Sequence, residues 1–436
     1  MKNTIYIFIF LLFARTLSLQ AQEIKPITKA EVLAKVSENN ATIQISEEEF
    51  NAAKADYRQT NAVFLPNITA SHTGISTTNP LMAFGSKLNQ EILTQNDFNP
   101  SLLNDPSVTR SFATKIEVQQ PLINLDGFYQ RKAAKSKMEA MSLKTERTRD
   151  YMVFEVDKAY MQLQLAYKAV EVLEKALETA NANKKMADNS FNEGFLQRAD
   201  VLNVEVRVTE VKNQLQTAKS NVQNASNYLS FLMNDKTYVV YKPTENLSVA
   251  SLNIADKNIS ENRSDIKAME LALKGFEAMN KADKMAFLPR LNAFGSYEMY
   301  DNKVFQGDAN GYLIGAQLSW DIFQGSKRFG KAQKSKAELE KSKLEYNQYV
   351  SKSNLELNKV KRQLIDVKNK LDLTSLAVEQ SKESLRIRKN RFKEGLEKTS
   401  DLLQAETQFL QKQLEYNQTI FEYNFTQTYL EFLTKK

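Results

Sequence analysis

The charged residues best placed to do chemistry lie in two copies of one phrase. Residues 191–202 read FNEGFLQRADVL and residues 392–403 read FKEGLEKTSDLL. In each copy a glycine is followed six residues later by an aspartate. Glycine adopts the left-handed conformation that ends many helices, and an acidic side chain stabilises the first turn of the next helix. The phrase therefore predicts helix–helix turns at Gly194 and Gly395.

Side chains that commonly carry catalysis or bind metals are sparse elsewhere. The chain has no cysteine, which excludes a disulfide, a thiolate metal site and an acylated N-terminal cysteine. His72 is the only histidine, and no cluster of possible partners accompanies it, so we interpret it as a strand residue rather than a ligand or base. Phosphate-binding loops, nucleophile elbows and metal-ligand spacings do not occur. We therefore expect no cofactor and no enzymatic activity.

The N-terminal residues 1–21 are predicted to be a secretory signal peptide. They combine Lys2, an apolar run from Ile5 to Phe13 and the sequence Leu19-Gln20-Ala21, which is typical of a signal-peptidase site. The net charge of +7 is a mild bias for 436 residues and gives no reason to expect a nucleic-acid partner. No other stretch is apolar for long enough to be a transmembrane helix, so entry into a membrane would require a β-barrel.

Four short segments alternate between apolar and polar side chains, which is the pattern of a half-buried strand. The two segments of each half are joined by a loop that is long in the first half (77–110) and short in the second (301–311). A Phe-Leu-Pro sequence precedes each pair and is expected to end the helix before it. The predicted strands are residues 67–76, 112–120, 291–299 and 312–320.

The alternation gives the strands one polar and one apolar face. In a membrane barrel, the polar face of such strands suits a water-filled lumen and the apolar face suits contact with lipid. The polar candidates for the lumen are Lys115, Glu117, Gln119 and Glu298. Aromatic residues available for the lipid interface are Tyr297, Tyr312 and Trp320.

The rest of the sequence predicts very long helices. The first half contains apolar residues at alternating spacings of four and three, which form the seam of a coiled coil. The same rhythm occurs in residues 156–180 and 357–371, and residues 27–61 are predicted to form one amphipathic helix. The seam consists of Val204, Val208, Val211, Leu215, Ala218, Val222, Ala225, Leu229 and Leu232.

The two halves therefore have the same order of elements: a helix, two strands and a helical hairpin. The first structural repeat is predicted at residues 22–242 and the second at residues 262–436, joined by a linker at 243–261. Four strands leave open edges, which are costly in a bilayer, and closure needs about eight strands or more. The chain is therefore expected to oligomerise, with eight strands in a dimer or twelve in a trimer.

In order, duplication and spacing, these features resemble the TolC-like outer-membrane efflux proteins. The resemblance covers essentially the whole mature chain. It rests on the two Phe-Leu-Pro entries (64–66 and 287–289), the strand exits Gln120-Pro121-Leu122-Ile123 and Trp320-Asp321-Ile322-Phe323, and the two glycine phrases. It implies a homotrimer that is mainly α-helical, in which long coiled-coil hairpins form an α-barrel. Four strands per chain contribute to a shared 12-stranded membrane β-barrel.

The implied function is the exit duct of a tripartite efflux or secretion system. Such a duct is a passive channel in the cell outer membrane, in contact with lipid, that extends into the periplasm. Its partners are a periplasmic adaptor (membrane fusion) protein and an inner-membrane pump, which open the channel at its periplasmic tip. The resemblance places adaptor contacts at the tips marked by Gly194 and Gly395.

Candidate gate residues also follow from the resemblance. Asp200 and Asp401 match acidic positions of the family gate, and Arg198 and Glu397 are further candidates. The chain departs from the family pattern where Phe392 replaces a tyrosine and Glu397 an arginine. Gln404 likewise stands where a second pore acid is found. The contacts of the family's closed gate therefore do not transfer to this chain.

Two other classes share part of the pattern. A secreted or periplasmic coiled-coil scaffold without channel activity would keep the heptads but would not need alternating strands. A periplasmic adaptor would have a single helical hairpin and glycine-rich β-domains. The transported cargo, the class of pump and the identity of the adaptor are not encoded in any motif of the sequence.

Overall fold

The computed structural model describes residues 24–237, 239–251 and 258–435. The predicted signal peptide and part of the predicted linker lie outside these residues. The described residues divide into two compact units. The helical unit contains the described residues within 24–48, 144–265 and 349–435, and the sheet unit is built from Glu49–Leu143 and Ile266–Gln348.

Nine α-helices account for most of the described chain, so the expected mainly helical fold is confirmed. They are α1 Lys29–Asn39, α2 Ala41–Gln59, α3 Pro80–Asn89, α4 Pro100–Asn104, α5 Leu125–Asn192, α6 Arg198–Leu232, α7 Ser264–Met285, α8 Lys327–Lys393 and α9 Thr399–Thr434. Short 3₁₀ helices occur at Thr60–Val63 and Gln95–Phe98. None of the helices in the described ranges has the length and apolar character that a membrane span requires.

The described strands form two sheets. The larger sheet has the order β2-β3-β5-β6, with every neighbouring pair antiparallel. The smaller sheet pairs β1 with β4 in parallel. The strands are β1 Ile24–Ile27, β2 Asn67–Thr77, β3 Thr109–Ile123, β4 Val240–Pro243, β5 Arg290–Asp301 and β6 Ala309–Ser319.

The core of the helical unit follows the predicted heptads. Every residue of the predicted α6 seam is buried except Ala225, which is half-buried. Val156, Tyr160 and Leu163 of α5 pack in one cluster with the C-terminal part of this seam (Val222, Leu229 and Leu232). A second cluster joins residues of α8 to residues of α9, and its α8 members include Leu357, Val360 and Leu364. Apolar side chains at this spacing are removed from water together, which favours long paired helices over separate ones.

The helix expected over residues 27–61 is interrupted, and this prediction was wrong. Asn40 leaves the helical conformation with φ −66° and ψ 123°, and it separates α1 from α2. Its side-chain oxygen accepts hydrogen bonds from the backbone N–H groups of Thr42 (2.9 Å) and Ile43 (3.2 Å). Its amide nitrogen donates to the carbonyl oxygen of Leu232 at 2.7 Å. The buried asparagine thus caps α2 and also satisfies the end of α6.

The β1–β4 pair was not predicted from the sequence. Ile24 lies opposite Val240, and Ile27 lies opposite Pro243. Tyr241 of β4, opposite Lys25, is fully buried, and its hydroxyl donates to Asp235 at 2.6 Å. Within the helical unit, this small sheet fixes the start of the described chain beside the segment that follows α6.

In the sheet unit, the four-stranded sheet has the four predicted strands, each longer than predicted, although β6 ends at Ser319, one residue before its predicted limit. β3 covers 15 residues and contains an irregularity between Pro121 and Ile123, where its register with β5 shifts. The long loop between β2 and β3 contains α3 and α4, and Gln90 donates from its side chain to the Arg110 carbonyl at 3.0 Å. Among the strands that the structure describes, β2 and β6 pair on one side only.

Candidate channel face and helical tips

The four predicted lumen residues lie together on one face of the sheet. Lys115 is directly opposite Glu298 in the β3–β5 register. Its ammonium nitrogen is 3.0 Å from Glu117 Oε2 and 3.3 Å from Glu298 Oε1. Gln119 donates from its side-chain amide to Glu117 at 2.7 Å, and the Tyr300 hydroxyl donates to Glu298. One lysine therefore bridges two carboxylates on neighbouring strands, and each carboxylate has a further donor.

An apolar ring also occupies this polar face. Phe294 is opposite Gly315 in the β5–β6 register. A Cβ atom at Gly315 would lie only 2.6 Å from Cζ of Phe294, so the ring rests on the glycine. Sheets use such ring–glycine pairs to cover backbone that glycine leaves open. The alternation of the sequence did not predict Phe294 on this face.

The opposite face carries the predicted aromatic residues. Tyr297 and Tyr312 are direct cross-strand neighbours, with 44% and 79% of their surface exposed. Ile314 and Leu318 extend the apolar face along β6 at 78% and 68% exposure. Trp320 lies one residue beyond β6 and donates from its indole nitrogen to the Phe287 carbonyl at 3.0 Å. A polypeptide without a partner rarely leaves such a continuous apolar surface in water.

His72 lies on the same face as these tyrosines. Its Nδ1 is 2.9 Å from the Thr114 hydroxyl, and its ring stacks on Phe305 at 4.2 Å between centroids and, more distantly, on Phe112. The described residues contain no group of three or more His, Cys, Asp or Glu side chains that could hold a metal ion. Ring stacking and one hydrogen bond hold the imidazole, while its Nε2 is buried without a hydrogen-bond partner among the described residues.

Both predicted turns have the same left-handed glycine geometry. Gly194 has φ +82° and Gly395 has φ +71°. In each case the N–H after the glycine donates to a carbonyl five residues back, Phe195 to Ser190 at 2.8 Å and Leu396 to Arg391 at 2.9 Å. This is the Schellman arrangement that ends a helix. Open space surrounds both glycines, so their backbone conformation, and not crowding, requires glycine.

Each turn is followed by an acid in the first turn of the next helix. Asp200 accepts a hydrogen bond from the Gln197 backbone N–H at 3.4 Å at the start of α6. Asp401 lies in the first turn of α9 and accepts from the Ser400 hydroxyl at 3.3 Å. Arg198 is the first residue of α6. The two acids therefore stabilise helix starts, and any gate contact would add to that role.

Glu397 is held by two arginines that the sequence reasoning did not identify. Arg388 approaches one carboxylate oxygen at 2.7 Å and Arg391 the other at 2.8 Å, and the Glu397 side chain is 10% exposed. The hydrogen bond from Arg391, together with the charge of Arg388, lowers the pKa of the Glu397 carboxyl. The arginines precede the turn and the glutamate follows it. A search for opposite charges on both sides of a predicted turn would have found them.

Comparisons with known proteins agree with this architecture. The profile of a family described as "Outer membrane efflux protein" matches residues 32–235 and 257–431. A membrane protein from Pseudomonas aeruginosa has a similar structure with TM-score 0.82 and 17% identity over 93% of each chain. The CmeC outer membrane channel of Campylobacter jejuni gives TM-score 0.81 and 19% identity over 93% of this chain and 85% of that one.

A third similar structure is the open state of the Neisseria gonorrhoeae MtrE outer membrane channel. It gives TM-score 0.75 and 17% identity over 93% of this chain and 88% of that chain. A comparison with curated protein sequences found no match. The family profile covers most of the chain, so the chain belongs to the outer membrane efflux protein family. It is an outer-membrane exit duct of an efflux system.

Proposed function

We propose that three copies of this chain form one passive channel in the outer membrane, closed by twelve strands. The observation that carries the proposal is the four-stranded sheet, with its ion-paired polar face, its exposed apolar face and its two one-sided edge strands. Unpaired strand edges cost several kcal/mol per orphaned group in a bilayer, so the edges must pair between copies. Eight strands would leave an interior filled by side chains, whereas twelve leave a wet lumen.

In this channel the polar face lines the lumen. Lys115, Glu117, Gln119 and Glu298 then contact water and cargo. The apolar face contacts lipid, and the aromatic side chains Tyr297, Tyr312 and Trp320 lie at the lipid interface, where amphipathic rings are favourable.

The helical unit supplies the periplasmic part of the channel. Its tips at Gly194 and Gly395 contact a periplasmic adaptor protein, which couples the duct to an inner-membrane pump. Asp200, Asp401, Glu397 and Arg198 contribute to the gate. The two structural repeats at 22–242 and 262–436 arose as copies of one unit and are joined by the linker at 243–261.

The trimer and its conductance can be tested on the purified mature protein. We expect a heat-sensitive trimer on gels and single-channel currents in planar bilayers. A monomeric, water-soluble protein without currents would instead favour the coiled-coil scaffold. Site-specific crosslinking from residues next to Gly194 and Gly395 in cells should then capture the adaptor, whereas crosslinks to unrelated proteins only would argue against tip contact.

The gate assignment has its own experiment. Asp401→Ala should increase the open probability in planar bilayers and weaken the block of the closed channel by cations. An unchanged closed state and unchanged cation block would remove Asp401 from the gate. Leu403→Ala, in the same turn of α9, is a matched control, because it changes a half-buried apolar side chain and no charge.

A further inference from the structure

Charged residues on the polar face of the sheet are concentrated at one level. We call Lys115, Glu117 and Glu298 the charge belt. The other polar-face positions within the described strands are uncharged except Arg290, the first residue of β5. Arg290 is paired with Asp126, its Nε lying 3.0 Å from the aspartate Oδ1. Within the described strands, the belt therefore holds the polar-face charges that are not paired with a helix residue.

The belt has an excess of negative charge. Its single lysine lies between two carboxylates, at 3.0 and 3.3 Å. Carboxylates and the lysine ammonium are both ionised at neutral pH, so each copy contributes one net negative charge. The side chains remain 37%, 32% and 28% exposed, so they are open to water on that face. Gln119 and Tyr300 also hold the two carboxylates, which are therefore not fixed by Lys115 alone.

We propose that the charge belt makes the membrane part of the channel selective for cations over anions, and that Lys115 limits this selectivity. The proposal rests on the trimeric channel proposed above, in which the polar face lines the lumen. Rings of acidic side chains select for cations in channels of many kinds. Their field reaches about 8 Å at physiological ionic strength, far enough to act on ions that pass near the wall.

Four proteins with different belt charge test the proposal. Lys115→Met gives two net negative charges per copy, the wild type one, Glu298→Gln none, and Glu117→Gln combined with Glu298→Gln one net positive charge. Reversal potentials under a KCl gradient in planar bilayers give the ratio of potassium to chloride permeability. We expect this ratio to fall in the order given, and the differences to shrink near 1 M salt, where the screening length is about 3 Å.

Two controls separate the belt from other effects. Lys115→Arg keeps the charge and should leave the ratio unchanged. Arg110→Met removes one positive charge from the same strand, but position 110 lies on the opposite face of the sheet from position 115. It should leave the ratio unchanged as well. A heat-sensitive trimer on gels establishes for each variant that the channel has assembled.

The possible outcomes are distinct. The expected order, with both controls at the wild-type ratio, supports the belt. An equal ratio across all assembled, conducting variants would overturn the belt and leave the proposed channel intact. A change in Arg110→Met as large as that in Lys115→Met would assign selectivity to total charge and also overturn the belt. Absence of trimers or currents in the wild type would remove the channel itself.

Discussion

The tips at Gly194 and Gly395 have the same backbone turn and different charges. Positions in the second tip lie 201 residues after their equivalents in the first. Where the second tip has Arg391 and Glu397, the first has Ser190 and Leu196. The glycine geometry is therefore common to both hairpins. The ion pairs of Arg388 and Arg391 with Glu397, which we call the clamp, occur only in the second. The two tips thus share their backbone conformation and differ in their electrostatics.

A second difference lies one to two turns into the returning helices. Glu205 of α6 and Glu406 of α9 are equivalent by the same spacing. Glu205 is partly exposed and pairs with Lys184 at 3.3 Å. Glu406 is 7% exposed and accepts a hydrogen bond from the Asn183 side chain, and its burial raises the pKa of its carboxyl. The same residue type is thus a solvated ion pair in one hairpin and a buried acid in the other.

The largest effect is expected from the feature that the two tips share, which is a glycine in the left-handed conformation. Gly194→Val and Gly395→Val should each destabilise the turn by about 1–2 kcal/mol, because a side chain is strained in the left-handed conformation. Hydrogen exchange of the tip amides measures the loss. Gly330→Val is the control, since Gly330 also has open space around it but no left-handed φ. Unequal losses at the two tips would show that the turns are not energetically equivalent.

The next effect concerns the buried acid. A raised pKa means that the folded state binds the Glu406 proton more tightly than the unfolded chain, whose carboxyl has the ordinary value of 4.5. The stability from this group is therefore full below pH 4.5 and declines as pH rises through the raised pKa. Glu406→Gln should melt at a higher temperature than the wild type at neutral pH and show no gain below pH 4.5.

Glu205→Gln is the matched variant for this experiment, and it should give no gain at any pH. A pH-independent effect of Glu406→Gln would mean that folding does not raise the pKa of the Glu406 carboxyl. Melting curves followed by circular dichroism, taken between pH 4 and 8, resolve these cases.

A smaller effect is expected from the clamp. Glu397→Gln should accelerate hydrogen exchange at the second tip several-fold, while Leu196→Gln should leave the first tip nearly unchanged. The lowered pKa of Glu397 means that its contribution is present above pH 4.5 and is lost as pH falls through the lowered value. High salt should reduce the difference, because the two arginine partners are exposed to solvent and their charges are screened. An effect that persists in 1 M salt would contradict an electrostatic clamp.

The smallest effect is expected from transplanting the clamp. Ser190→Arg with Leu196→Glu places one ion pair at the first tip and should slow its hydrogen exchange by less than Glu397→Gln accelerates exchange at the second. The second arginine cannot be transplanted, because its equivalent Ala187 is 1% exposed and has no room for a guanidinium. No slowing at all would show that the clamp depends on more than the two repeated phrases.

Periodic features of the molecule were predictable from the sequence. The α6 seam is buried as the heptads predict, because each of those side chains contacts a neighbouring helix at regular intervals. Alternation placed Lys115, Glu117 and Glu298 on one face, and strand pairing then brought them into contact. Both glycine turns were predictable because a left-handed φ restricts the residue type at one position.

Features that depend on distant partners were not predictable. Asn40 breaks a helix because its amide bonds to Leu232, 192 residues away, and nothing near Asn40 reveals that partner. The β1 and β4 strands have four residues each and contain a proline, too short for a periodic signal. The ion pairs of Glu397 with Arg388 and Arg391 were missed for another reason: they cross a turn, where helical spacing rules do not apply, although the opposite charges flank that turn in the sequence.

The parallel pairing of Ile24–Ile27 with Val240–Pro243 brings the start and the end of the proposed first repeat side by side. A module whose ends are neighbours can be copied head to tail in a gene without a long connector. If residues 22–242 and 262–436 are copies of one unit, as proposed above, neighbouring ends in the first copy would let a linker such as 243–261 join the two without a further connecting domain.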